Sequence, residues 1–562
     1  MITKSYIIKT KAPCALRRAA RLSASLFAFI VPLSLFGAFG LTTATDYYQV
    51  DTGAGLVFKV RRTDNGSSTQ SAGDIMSLTW NGVEYQNQSR GSQITSGFDY
   101  LYTGVSAVNV SAAVINTSYI KVTVQAGNLT HYYMARSGYP HIYMGTYFTT
   151  EPDIHGLVRY IFRLDSTKLT TGPTASDIRN NTGAIESGDV FGLSNGQTRS
   201  KHYSNMRLKD WSYFGATGSS VGMWVVRDNN EGGSGGPFYR CLLNQCTSTD
   251  QELTYIVNYG EIQTESYRPG ILNAYTFVAT GGGTPGTIDT SWFSSMGLSG
   301  YLAASGRGKV AGVGISGRDT NYTYTVGFSN STAQYWCTAA SSNGAFSCSG
   351  MRPGTYTMKI YKNELAVYTG SVSVTAGGST ALNTITITGD PSSQSALWRV
   401  GNWDGSPAEF RNGSLVTYMH PSDVRMSSWS PGTYVVGSSA SSFPCYQWKD
   451  VNGTQKIQFT LTAAQAAAAH TLRIGITIAY ANARPVVTIN SWTSAVPSAS
   501  TQPSTRSLTV GSYRGNNTTF TYSIPASAFV TGTNTLTIAP ASGSGSTKYL
   551  SAGYSIDCVD MY

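Results

Sequence analysis

From Tyr47 onward, apolar side chains come in short runs or at alternate positions, broken every few residues by Gly, Asn, Asp, Ser or Pro. Residues 48–50, 56–60, 76–80, 119–124 and 141–148 therefore read as half-buried strands. So does 157–164 (LVRYIFRL), where alternation sets Arg159, Ile161 and Arg163 on one face. At ~3.3 Å per residue the two arginines stand ~13 Å apart, and a strand face with two guanidiniums is not an ordinary core face. A turn at 281–285 and the segment to Met296 close a first domain, 41–298. Short strands at 323–328, 334–338 and 355–361 suggest an immunoglobulin- or fibronectin-like sandwich over 299–390. After a polar linker at 389–395, the runs 456–461, 471–479, 486–489, 519–524 and 535–538 fit a jelly roll over 391–562. Helical periodicity is nearly absent; an alanine-rich turn at 463–469 is the exception.

Composition agrees with an all-β chain of several domains. There are 562 residues, with Gly 60 and Tyr 36, enough for three or four domains with substantial cores. The net charge of +10 falls to +4 without the six basic residues of 1–40, which contain no acid. The basic balance is thus no argument for nucleic acid, and only local arginine clusters bear on an anionic ligand. The same 1–40 segment carries a basic region, then the apolar run 22–40 ending in small residues, and reads as a secretory signal cleaved after Gly37 or Gly40. A membrane anchor is the rival reading, since the run approaches spanning length. Export suits the dense Asn-X-Ser/Thr sequons, among them Asn65, Asn87, Asn109, Asn116, Asn128, Asn412 and Asn452.

Cys14 lies in the leader, leaving Cys241, Cys246, Cys337, Cys348, Cys445 and Cys558. The simplest disulfide framework pairs them in that order, one of fifteen formal possibilities. No spacing matches a zinc site. Ser234 sits in a formal G-x-S-x-G, but a nucleophile elbow needs a strand before it and a helix after it, and the NNEGGSGGPF tract reads as a flexible loop. Gly306-Arg307-Gly308-Lys309 lacks the Ser or Thr of a phosphate loop. Two stretches remain as candidate chemistry: 198–204 (TRSKHYS), with a lysine in a chain only 12% charged, and 258–268 (NYGEIQTESYR).

These stretches belong to a longer set: AIESGDVF (184–191), TRSKHYS, SGGPF (234–238), QTESYR (263–268), AASGRGKVAG (303–312), PGTYTM (353–358), NWDGSPAEFRN (402–412), MHPSDVRMSSW (419–429) and LRIGITIAYANARP (472–485). In this order they resemble fungal rhamnogalacturonan lyases of polysaccharide lyase family four. The resemblance implies a galactose-mutarotase-like β-sandwich (super-sandwich) catalytic domain, a fibronectin-III-like sandwich and a jelly-roll carbohydrate-binding-like domain. It also implies a secreted, monomeric, endo-acting enzyme on the rhamnose–galacturonate backbone of rhamnogalacturonan I in pectin. No nucleic acid or membrane partner is expected after signal cleavage. No cofactor is required, and a structural calcium in the jelly roll stays open.

Eliminative cleavage of a 4-linked uronate begins at the C5 proton, beside the carboxylate. It needs cations on that carboxylate and a base within reach of the proton. The resemblance assigns the base to Lys201 and substrate contacts to Arg159 and Arg163, whose guanidinium forks suit carboxylates. A lysine ammonium is a poor base at its ordinary pKa of ~10.4, and cations or burial lower it. Arg199 and the 157–164 arginines are candidate neighbours. Tyr203 is a candidate for sugar stacking, with a core aromatic as the alternative. Glu265 and Arg268 are candidate site residues, with a structural pair as the alternative. The family's catalytic histidine falls at Glu261, and Thr254 and Ile256 replace family aromatics. Glu261 could transfer protons with a raised pKa, or pair with Lys201 and weaken it as a base. Three readings stay open: a lyase with Glu for His, a lyase of altered specificity, and a homologue that binds pectin but barely cleaves. Trp398, Trp403, Trp429 and Trp448 are candidate sugar platforms or core. A glycosidase pair of Glu261 and Glu265 is weak, because four strand residues separate them by ~13 Å.

Overall fold

The computed structural model describes residues 37–64, 69–101, 107–152, 157–229, 231–240, 243–259, 265–512 and 514–562. Residues 1–36 of the expected leader, Glu261 and Cys241 lie outside them. The alternating runs all become strands, and the chain is a succession of mostly antiparallel sheets around three large cores.

The first core lies among three sheets. A meander of five strands (Gly40–Thr43, Tyr47–Asp51, Leu56–Arg61, Ile75–Trp80 and Val83–Glu84) contributes Val50, Leu56 and Phe58. A seven-stranded sheet runs in the order Tyr213–Gly218, Val221–Arg227, Leu272–Thr280, His141–Phe148, Leu129–Arg136, Tyr119–Ala126, Asn109–Asn116. The third sheet has Asp250–Tyr259 beside Leu157–Asp165, flanked by Leu243–Cys246 and Gln93–Ile94. On its inner face Tyr160 and Phe162 reach the core, so Arg159, Ile161 and Arg163 fall on the other face, as alternation requires. A small sheet of Gly183–Glu186, Val190–Gly192 and Thr198–Ser200 projects from this body.

The second sandwich packs Phe346–Met351, Gly308–Gly312 and Ser379–Leu382 against a four-stranded sheet that includes Tyr324–Ser329 and Gly354–Lys362. Its seam with the first domain is electrostatic. Glu231, 1% exposed, takes Arg307 at 2.6 Å, Arg352 at 3.3 Å and the Tyr335 hydroxyl at 2.6 Å. The third sandwich faces a sheet built on Gly553–Met561 and His470–Tyr480 against one built on Gln455–Leu461, Gly532–Ala541 and Arg484–Ile489. Trp398, Trp403, Trp429 and Trp448 are all buried in or beside its core, so the core reading holds and none is an exposed sugar platform.

The five described cysteines are unbridged. Cys337 and Cys348 are side-chain neighbours: the hydrogen bond between them, together with burial, raises the Cys348 thiol. Cys445 and Cys558 do not form the expected staple. Cys445 packs in the third core and Cys558 with the second-core cluster beside Trp403, so their side chains serve different cores.

Candidate active site

Glu186 and Asp189 flank a hairpin turn whose central residues, Ser187 and Gly188, have φ of 50° and 67°, the left-handed pair that primed turns demand. The Asp189 N–H donates to the Glu186 carbonyl at 2.9 Å. The third strand of this sheet runs straight into a 3-10 turn, Lys201–Ser204, capped by the Ser200 hydroxyl, which accepts the His202 N–H at 3.2 Å. The turn is held at both ends. The Ser204 hydroxyl donates to the Lys201 carbonyl at 2.7 Å and accepts the Asn244 N–H from strand Leu243–Cys246. The Asn205 amide donates to the Thr417 carbonyl of the third domain at 3.3 Å.

Lys201 leaves this turn with a side chain 24% exposed, its Nζ 3.3 Å from Asp189 Oδ1. The other Asp189 oxygen accepts from Arg506 Nη2 at 2.9 Å. Burial alone would raise the Asp189 carboxyl, but Lys201 and Arg506 outweigh it and hold the group below its ordinary value. His202 is buried, with Nε2 4.0 Å from Asp189 Oδ1. Burial, reinforced by Lys201, pushes its imidazole down to about 3, so the ring is neutral. Arg159 also acts weakly on that ring electrostatically. Arg159 is half-buried on the outer sheet face opposite Ile256, and its Nε meets no acceptor among the described residues.

The other expected site residues separate from this pair. Arg163 is 4% exposed, donates to the Gly91 carbonyl at 3.1 Å and lies 3.7 Å from Glu252. Burial and neighbouring Arg90 push it down to about 10, so it stays cationic but sealed in a structural cluster. Tyr203 is 2% exposed against Val190 and Val510, its hydroxyl donating to the Thr509 carbonyl; it is a domain contact and no stacking surface. Arg268 is buried, bonding Glu265, the Gly233 carbonyl at 2.6 Å and the Asn330 carbonyl at 3.1 Å. Glu265 also accepts the Gly235 N–H at 2.8 Å. That pair clamps the glycine-rich loop to the second domain, taking the structural alternative. Arg199 turns to the Thr198 carbonyl and Gln197, with Arg425, Asp423 and Asp177 as its charged neighbours. Thr254 is buried opposite Ile161.

Residue-by-residue reading overlooked a second set. Arg506 Nε lies 3.1 Å from Glu186 Oε1, and Glu186 Oε2 lies 3.0 Å from His420 Nε2. Asp423 accepts both the N–H and the hydroxyl of Thr198 at 2.6 and 2.9 Å. Glu186, Asp189, His420 and Asp423 all lie in stretches that carry the family resemblance, where they served only as markers. Arg506 lies in a Ser/Thr-rich segment with no motif, and only the tertiary fold brings it to Asp189.

Family models match in chain order: "Rhamnogalacturonan lyase B, N-terminal" over 39–300, "Polysaccharide lyase family 4, domain II" over 306–382, and "Polysaccharide lyase family 4, domain III" over 396–561. A probable rhamnogalacturonate lyase A of Aspergillus terreus is 43% identical over 542 residues, covering 95% of this chain and 98% of that protein. Rhamnogalacturonate lyase A of Aspergillus aculeatus is 42% identical over 549 residues, covering 96% and 100%. That of Emericella nidulans is 42% identical over 529 residues, covering 93% and 96%. With the sandwich succession, these matches place the chain in polysaccharide lyase family four, as a fungal-type three-domain rhamnogalacturonan lyase.

Proposed function

We propose that the protein is a secreted endolyase that cuts the rhamnose-(1,4)-galacturonate bond of rhamnogalacturonan I by β-elimination. The observation that carries this reading is Lys201 itself, presented partly exposed from the 198–204 turn beside the buried, neutral His202, with Arg159 within electrostatic range of that ring. Arg159 takes the uronate carboxylate, so charge that develops on it during proton removal meets a fixed cation. Neutral Lys201 removes the C5 proton. The C5–H electrons become the C4=C5 double bond, the C4–O4 bond breaks, and O4 leaves with the rhamnose and takes up a proton. His202, neutral and buried, packs under the turn and takes no proton. Glu261 lies outside the described residues, and its place in the family's histidine position favours a second reading, a homologue that binds pectin and cleaves it slowly.

Incubation with rhamnogalacturonan I separates the two. Rising ultraviolet absorbance of an unsaturated uronate, with rhamnose at the new reducing ends, is the expected result. Retention on the polymer without that rise would establish the binding reading. New reducing ends without the absorbance would mean hydrolysis and overturn both.

A further inference from the structure

We propose that Arg506, contributed by the third domain, is a positioning residue for the eliminating lysine: it holds the second oxygen of Asp189 and so keeps that carboxylate from locking Lys201 in the protonated form. This rests on Lys201 being the base. Asp189 offers one oxygen to Lys201 at 3.3 Å and the other to Arg506 at 2.9 Å. A carboxylate whose only partner was Lys201 would stabilise the ammonium and oppose catalysis, because an opposite charge at this range favours the charged form. A second cation on the same carboxylate divides that attraction and adds direct repulsion between the two cations.

The arrangement is built. The Arg506 fork spans Asp189 and Glu186, the two acids flanking the primed turn. Glu186 is 4% exposed and anchored from the third domain by the Thr509 hydroxyl at 3.0 Å and by His420 at 3.0 Å. The charged and titratable groups facing Asp189 are Lys201 and His202 from the turn and Arg506 from the third domain. With His202 neutral, Lys201 and Arg506 stand against Asp189 and Glu186 in a cluster that balances when the lysine is charged. Removing Arg506 leaves an excess negative charge beside Lys201. The third domain thereby enters the active site chemically, beyond any part in holding polymer.

The test is the pH dependence of unsaturated uronate formation from rhamnogalacturonan I by the full-length protein. Arg506→Gln is expected to shift the limb on which the base deprotonates by about one pH unit towards alkali. The rate below the limb falls roughly tenfold for such a shift while the alkaline plateau is kept. Arg506→Lys should restore most of the shift. Asp189→Asn is expected to move the limb towards acid, and in that background the Arg506→Gln shift should shrink, as coupled sites require. A rate lowered by one factor at every pH, or a limb that stays put, overturns the proposal. If Arg506→Gln does not fold, the Asp189→Asn shift decides alone, and its absence is equally fatal. Lys201→Ala separates the levels. If it retains the wild-type rate, the base reading falls and this inference with it. If it is inactive while the limbs do not move, only the role of Arg506 falls.

Discussion

Lys201 and His202 are neighbours in the chain and meet opposite environments. One is solvent-accessible against a shared carboxylate, the other buried and neutral. The same contrast separates Arg159 from Arg163, which a two-residue period puts on one face. Arg163 is enclosed with Glu252 and Arg90, so Arg163→Ala empties a buried guanidinium site and removes its bond to the Gly91 carbonyl, and should cost about 2 kcal/mol, read as a lowered melting temperature. Arg159→Ala should leave the melt nearly unchanged and cut the elimination rate by tenfold or more. A matching loss of stability in both would remove the distinction. Periodicity could assign the face but not the depth, because burial of Arg163 is decided by Gly91 and Glu252, from strands and loops far away in sequence. Glu261 is a separate question at this scale. Glu261→His is expected to raise turnover, and no gain would show that a carboxyl serves the position as well as an imidazole does.

Among the elements, the hairpin sheet 183–200 does most to assemble the site, and it also seats the third domain. Its Thr198 donates twice to Asp423, which is closed off from solvent. Burial would raise the Asp423 carboxyl, but Arg425 and Thr198 overcome it and hold it at about 2. A carboxyl depressed on folding stabilises above its unfolded pKa of ~3.9 and loses that contribution as pH falls through the folded value. Asp423→Asn should therefore cost about 2 kcal/mol near neutrality and little at pH ~2, measured by denaturant melts across that range. Equal cost at both pH values would contradict the assignment. Strand Gly553–Met561 shows what pattern reading cannot find. Every residue in it is buried, so the in–out alternation of a half-exposed strand is absent. Its Asp560 is buried among Arg473 at 2.7 Å, Arg399 at 3.1 Å and the Trp403 indole at 2.9 Å, and such acids read as surface until their partners are placed.

At the scale of the molecule, the all-β class and the three sandwiches were legible, since alternation and turn residues are local. The seams were not. Glu231, in a glycine-rich loop, gathers Arg307, Arg352 and Tyr335 from the second domain. Arg506 and Tyr203 join the first domain to the third. Each partner is distant in sequence, and none follows a spacing. Glu231→Ala strands two arginines and should lower the melting temperature by several degrees; an unchanged melt would show that the seam adds nothing. The seams bear on function because the third domain supplies a charge next to the proposed base. The central claim is that Lys201 removes the C5 proton. Its most direct test is the initial rate of C4=C5 absorbance from rhamnogalacturonan I with Lys201→Ala, folded as judged by its melt, beside the wild type. The account predicts a wild-type rise and a rate at least a thousandfold lower in the variant, on the order of a lost acid–base group. A variant rate near that of the wild type would contradict it.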